Sequence, residues 1–141
     1  LSAELLIEVL PKYVASEIQP QEQNHDQATF CKILTKEDGQ IDWHKNAKEI
    51  YNMWRAFIEW PGIYSEKLKV KSERLLNKKI KFIEISLTDL KNDKLEPGIL
   101  FVQDKKLFVT CGNNSVLEIE KIQPQGKKIM DATGFINGYL N

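Results

Sequence analysis

A mainly β domain with helices is what this 141-residue sequence predicts: a small five-stranded barrel with a preceding amphipathic helix and a short C-terminal helix. Three observations point there. Apolar residues recur at helical spacing from Trp43 to Phe57, and after Gly62 the period changes to alternation in runs rich in Ile, Val, Phe and Leu. Turn residues separate those runs.

The helix is read over about Asp42 to Phe57, with Trp43, Ala47, Ile50, Trp54 and Phe57 at steps of four, three, four and three. That spacing puts two indoles and a phenyl ring on one side, which is core, and Lys45, Lys48, Asn52 and Arg55 on the other. Asp42 is placed to cap its start, and Trp60-Pro61-Gly62 cannot continue it.

Strands are expected over Ile63 to Val70, Lys79 to Ile85, Gly98 to Gln103, Leu107 to Cys111 and Val116 to Ile122. Between them lie turn signals at Leu76-Asn77-Lys78, Pro97-Gly98, Asp104-Lys105 and Gly112-Asn113-Asn114. Gly126 to Lys128 breaks the last strand, and Asp131 can cap a short helix carrying Phe135, Ile136 and Tyr139. The pattern suits a partly open barrel of the OB type, although a roll or sandwich would use the same strands.

At the N-terminus, Leu1, Leu5, Leu6, Val9, Leu10 and Tyr13 make an apolar stripe on a short helix that Pro11 kinks or restarts. A chain that begins at Leu1 within a helical pattern is expected to be a piece of something longer. Residues 16–29 carry almost no apolar side chains and read as an extended linker, and Asp38-Gly39 makes a turn before the central helix.

Twenty Lys and Arg balance twenty Asp and Glu, so net charge points to neither a nucleic acid nor a membrane. Distribution says more. Residues 1–30 hold five acids against Lys12 alone, whereas residues 67–81 hold seven bases against Glu73. Cys31 and Cys111, with no C-x-x-C pair and no His at zinc spacing, suggest a reduced, cytoplasmic protein without a metal site, and both read as small apolar residues. No apolar run approaches the roughly 20 residues that cross a bilayer, and no signal peptide is recognisable; a soluble protein is expected.

Three blocks of the chain resemble the C-terminal region of methionyl-tRNA formyltransferases. The first is Thr35-Lys36-Glu37-Asp38-Gly39-Gln40-Ile41-Asp42-Trp43, followed by Arg55-Ala56-Phe57 and Trp60-Pro61-Gly62. The second is Pro97-Gly98 before a strand. The third, the specific one, is Gln123-Pro124-Gln125-Gly126-Lys127-Lys128-Ile129-Met130 continued by Phe135-Ile136-Asn137-Gly138. Gln23 and Ala28-Thr29-Phe30 fit as well. The first block is shared more loosely with other folate-dependent formyltransferases.

The resemblance implies a two-part enzyme. An N-terminal Rossmann-like domain transfers a formyl group from formyltetrahydrofolate, and a C-terminal OB-like domain helps to hold initiator methionyl-tRNA. Residues 1–16 would be a remnant helix of the catalytic domain, 17–35 the linker and 36–141 the tRNA-binding domain. The family's catalytic Asn, His and Asp and its Ser-Leu-Leu-Pro loop have no counterpart here, and neither His25 nor His44 lies in such a motif. This chain is therefore expected to hold no cofactor and to be inactive alone, and the full-length protein to be a monomer that docks this domain on its catalytic one.

RNA binding needs several cations on one surface. Lys67, Lys69 and Lys71 alternate on one expected strand, as do Lys79 and Lys81 on the next, although lysines so placed also serve as solvated hairpin residues. Lys127 and Lys128 occupy an exposed Gly-containing turn, and Lys36 ends the linker. Arg55 suits either a phosphate or a carboxylate of the domain itself. Gln123 suits RNA or carbonyls near the turn. Trp43 and Trp54 are read as core rather than as stacking platforms; Trp60 lies outside their helical spacing.

Two departures from the family stand out. Ile33 occupies a position where the family has Lys, with Lys32 one step earlier; in an extended segment that shift turns the side chain to the other face. Ile58-Glu59 replaces the Asn-Pro found before Trp-Pro. The competing readings are the C-terminal domain of a formyltransferase acting on a sugar nucleotide or on folate, and a free-standing OB-like module that binds RNA or protein. The Gln123 to Met130 block argues against the former, and the stripe of residues 1–13 against the latter.

Overall fold

Where the period changes at Gly62, the computed structural model, which describes residues 1–66, 68 and 78–140, passes from helix to sheet. The chain divides into two units, residues 1–33 and 34–141.

In the first unit, helix α1 spans Ser2–Val14 and buries none of its residues; Leu5, Leu6, Leu10 and Tyr13 stay exposed. It runs through Pro11 instead of restarting there: the Pro11 carbonyl accepts the Ala15 N–H at 3.0 Å in the next turn, and a Lys12–Glu8 ion pair at 3.1 Å spans the same stretch. The linker holds one 3-10 turn, His25–Gln27, capped by the Asn24 side chain.

In the second unit, a 3-10 turn at Glu37–Gly39 leads to helix α2, Ala47–Phe57. The helix starts five residues later than expected. Asn46 is its cap: the Asn46 side chain accepts from the Glu49 N–H at 3.0 Å, and the Glu49 carboxylate accepts from the Asn46 N–H at 2.9 Å. Asp42 instead accepts the His44 N–H at 3.0 Å within a turn that precedes the helix. Trp43 is still core: its ring meets Phe82 edge-on at 5.3 Å and its indole N–H donates to the Ser65 hydroxyl at 3.0 Å. Ala47 and Ile50 are buried on α2, with Trp54 and Phe57 packed partly buried against the same core.

The strands are β1 (Ile63–Ser65), β2 (Ile80–Lys91), β3 (Leu100–Gln103), β4 (Lys106–Thr110), β5 (Ser115–Pro124) and β6 (Met130–Asp131). They form one antiparallel sheet in the order β1-β2-β5-β4-β3, with β6 also on β5. The expected five-stranded barrel is thus a six-stranded sheet whose path, among the described residues, is not closed. Two segments account for the difference. β1 is described over only three residues, and the expected strand beyond it, to Val70, lies mostly outside the described residues. β6 is a two-residue pairing at the end of the Gly126 turn, too short to show a period. β2 also runs six residues past Ile85, with register shifts around Glu84 and before Lys91 that bend it.

β5 is the centre of the sheet. Ile119 faces Ile85 of β2 on one edge and Leu107 of β4 on the other, and Ile122 faces Phe82 and Met130 in the same way. Gly112 carries the chain so close to the α2 approach that a Cβ there would lie 1.8 Å from the His44 carbonyl oxygen. Asp131 caps the final helix α3, Ala132–Phe135, accepting the Gly134 N–H at 2.7 Å, and a π-type turn, Ile136–Leu140, follows. Phe135 closes the core beneath it. No described helix is long and apolar enough to cross a membrane.

Candidate nucleic-acid interface

The register of β2 against β5 builds the candidate site. Lys81 stands directly opposite Gln123, so their side chains share a face, and Lys79, two residues earlier, falls on that face too. Beyond the strand end the chain reverses through Pro124-Gln125-Gly126-Lys127: the Lys127 N–H donates to the Pro124 carbonyl at 3.0 Å, and Gly126 has φ +73°. A left-handed residue at the third position is the mark of a type II turn, which glycine fills without strain.

Three further bonds fix this turn to the sheet. The Gln125 N–H donates to the Lys79 carbonyl at 2.9 Å, the Gln125 side-chain oxygen accepts the Lys79 N–H at 3.3 Å, and the Gln123 amide donates to the Lys127 carbonyl at 3.0 Å. Gln123 therefore satisfies a carbonyl of the turn, one of its two expected roles. Lys127 and Lys128 extend from the turn exposed.

Two shallow recesses flank the turn. One, of about 230 Å³, is lined by Lys79, Lys81, Gln123, Pro124, Gln125 and Gly126. The other, of about 350 Å³, lies between Lys78, Pro124, Gln125, Lys127, Gly138 and Tyr139. Among the described residues no ion pair engages Lys81, Lys127 or Lys128. Lys79 differs: its ammonium lies 3.8 Å from the centroid of the Tyr64 ring and 3.3 Å from Glu66, so part of its charge is used within the domain. What this surface can do is hold anions by cation and hydrogen-bond donor.

The remaining expected residues scatter. Lys36 is exposed at the head of the Glu37–Gly39 turn. That turn lies within electrostatic reach of the site: hydrogen bonds from its own backbone and from Thr35 hold the Glu37 carboxyl below its usual value, and the Lys79 charge adds to them. Arg55 is spent on its own helix, donating to Asn52 at 3.3 Å and lying 5.7 Å from the Tyr51 ring centroid, and it lines neither recess. Lys67, Lys69 and Lys71 lie outside the described residues. Lys78 and Gln125 were missed. The sequence places Lys78 in a turn, and its position beside Lys79 is the available signal.

The other chemistry-bearing groups do not assemble. Asp42 and His44 meet at 3.1 Å on the rim of another recess, about 750 Å³, where His44 hydrogen bonds keep the Asp42 carboxyl low, but both are exposed and no Ser, Thr or Cys is among the residues that line it. Cys111 is buried, which pushes its thiol up to about 12. No group of three or more His, Cys, Asp or Glu able to hold a metal occurs among the described residues.

Residues 33–140 match the family model described as Formyl transferase, C-terminal domain. The chain belongs to this family. The matched span contains all of the sheet and the whole turn-and-lysine surface. Among proteins similar to this formyltransferase C-terminal domain is the methionyl-tRNA formyltransferase of Koribacter versatilis, 39% identical over 139 residues that make up 99% of this chain and 41% of that protein. The methionyl-tRNA formyltransferase of Acidobacterium capsulatum is 38% identical over 98% of this chain and 42% of its own length. The chain thus spans about two fifths of the length of the curated relatives it matches. In fold, the formyltransferase domain is similar to HypX from Aquifex aeolicus, with a TM-score of 0.56 and 17% identity over 96% of this chain and 23% of HypX.

Proposed function

We propose that this chain is the tRNA-holding, OB-like C-terminal domain of a cytoplasmic methionyl-tRNA formyltransferase. Residues 1–16 are then the last helix of the catalytic domain, 17–35 the linker, and 36–141 the domain that helps to position initiator methionyl-tRNA. The formyl donor, formyltetrahydrofolate, binds in the catalytic domain, where the methionyl amine takes up the formyl group.

The observation that carries the reading is the exposed Lys127–Lys128 pair on a turn clamped by Gln123 and Gln125, beside Lys78 and Lys81. Clustered ammonium groups neutralise phosphates and release counterions, which supplies affinity without reading sequence. Held by its backbone, the tRNA presents its aminoacyl end to the distant donor; the contribution is proximity, not chemistry. The relatives' printed names support methionyl-tRNA over a sugar nucleotide or folate as the substrate, and over a free-standing module.

Titration of the chain with initiator and elongator tRNAs at two salt concentrations tests this. Weak binding that falls steeply with salt and distinguishes the two tRNAs little is expected. Lys127→Ala with Lys128→Ala should reduce the slope of log K against log salt by about 1 to 2, one phosphate contact per lysine. Absence of binding even at low salt would refute the proposal.

A further inference from the structure

Tyr64, Lys81 and Gln123 stand in one row across β1, β2 and β5, Tyr64 opposite Lys81 and Lys81 opposite Gln123. Lys79 shares that face two residues back along β2, and it lines the same recess of about 230 Å³ as Lys81. Electrically the two lysines differ. The Lys79 ammonium lies 3.8 Å from the centroid of the Tyr64 ring and 3.3 Å from the Glu66 carboxylate. Gln125 holds the Lys79 backbone at both its N–H and its carbonyl. Lys81 is exposed, and no ion pair or hydrogen bond engages its ammonium among the described residues.

Around Lys81 the lining supplies neutral donors and no carboxylate. Gln123 gives one amide hydrogen to the Lys127 carbonyl and keeps the other. The Gly126 N–H makes no hydrogen bond among the described residues. One uncompensated cation with amide donors beside it suits an anion of a single charge that offers more than one acceptor oxygen. A phosphodiester is such an anion. A terminal phosphate monoester carries about −1.5 to −2 at pH 7 and calls for a second free cation. We propose that this recess holds one internal phosphodiester of the RNA at Lys81, with Gln123 and Gly126 as its neutral donors, and that Lys79 is a positioning residue. Lys79 ties the start of β2 and the turn clamped on it to Tyr64 of β1, and Glu66 keeps its charge from adding to the site.

This inference rests on the tRNA-holding function, and the test separates the two. Binding of the whole chain to initiator tRNA is followed over a series of salt concentrations, with the 5′-terminal phosphate of the tRNA present and enzymatically removed. Lys81→Ala should reduce the slope of log K against log salt by about 1, equally with and without the 5′-phosphate. Lys79→Gln with Glu66→Gln removes the internal pair at constant net charge; it should weaken binding several-fold and leave the slope unchanged, while Lys79→Arg should bind as the parent does. Glu66→Gln alone should steepen the slope by about 1, because the Lys79 charge is then uncompensated. A slope reduced as much in the Lys79–Glu66 double variant as in Lys81→Ala would overturn the division of roles, as would an unchanged slope in Glu66→Gln. A Lys81→Ala effect that vanishes with the 5′-phosphate would overturn the internal phosphodiester. Binding that depends on Lys127 and Lys128 but not on Lys81 would overturn the recess and leave the phosphate-holding surface standing. No binding by the parent even at low salt would overturn both.

Discussion

The backbone N–H of Ala47 donates to the Ser115 hydroxyl at 2.8 Å, and that hydroxyl donates in turn to the Gly112 carbonyl at 2.6 Å. One buried oxygen therefore ties the first turn of α2 to the head of β5. The Ala47 N–H is among the donors that a helix start cannot satisfy internally. Ser115→Ala should leave it unpaired in the core and cost about 1–3 kcal/mol, measured as a shift in the urea midpoint with the slope unchanged.

The neighbouring Gly112 should tolerate no side chain. A Cβ 1.8 Å from the His44 carbonyl oxygen meets backbone, which cannot rotate away. Gly112→Ala should lose more stability than Ser115→Ala, to the point of insoluble expression. Gly126→Ala is the contrast: nothing lies within 4 Å of the added carbon, and only the left-handed backbone at φ +73° resists. Its cost should be about 1–2 kcal/mol, with a folded chain by circular dichroism.

Asn46 and Glu49 exchange bonds across the start of α2, each satisfying a backbone donor of the other. Asn46→Ala should destabilise the chain by about 0.5–2 kcal/mol, whereas Asp42→Ala, outside the helix, should cost less. Thermal melts of the two variants side by side decide which residue is the cap.

Cys31 is exposed and Cys111 buried, so a thiol reagent should label one sulfur in the native chain and two in denaturant. Burial raises the Cys111 thiol from 9.0 to about 12. Between those values the unfolded chain has given up the proton that the folded chain keeps. The unfolded state then binds fewer protons, and this group makes stability fall as pH rises from about 9 towards 12. Below that window it contributes no slope. Cys111→Ala should flatten the loss relative to the parent, whatever its own packing cost.

Local chemistry decided what could be read in the sequence. The core face of α2 was legible because Ala47, Ile50, Trp54 and Phe57 repeat at helical spacing, and the final cap because Asp131 precedes a short apolar group. The start of α2 was misplaced because Asp42 and Asn46 are both good capping residues. Glu49, three residues after Asn46, was the signal that separates them. The tail of β2 was hidden because Ser86 to Lys91 holds Leu87 and Leu90 three residues apart among polar ones, which breaks the alternation of a strand, and its strand character comes from pairing with β5. Of the site, the turn and its lysines were legible from the Gln123 to Met130 block. The placing of Lys79 on Tyr64 and Glu66 depends on a register between separate strands, which no local pattern contains.

β5 is held along both edges, by β2 on one side and by β4 and β6 on the other, and the Pro124–Lys127 turn grows directly from its end. Peptide groups shielded in this way are the slowest to exchange their hydrogens, because they open only when the whole sheet comes apart. Fraying of β1 or β3 at the margins leaves that turn where it was. The backbone that carries Lys127 and Lys128 therefore stays anchored when the margins open, while their long side chains move freely about that fixed base.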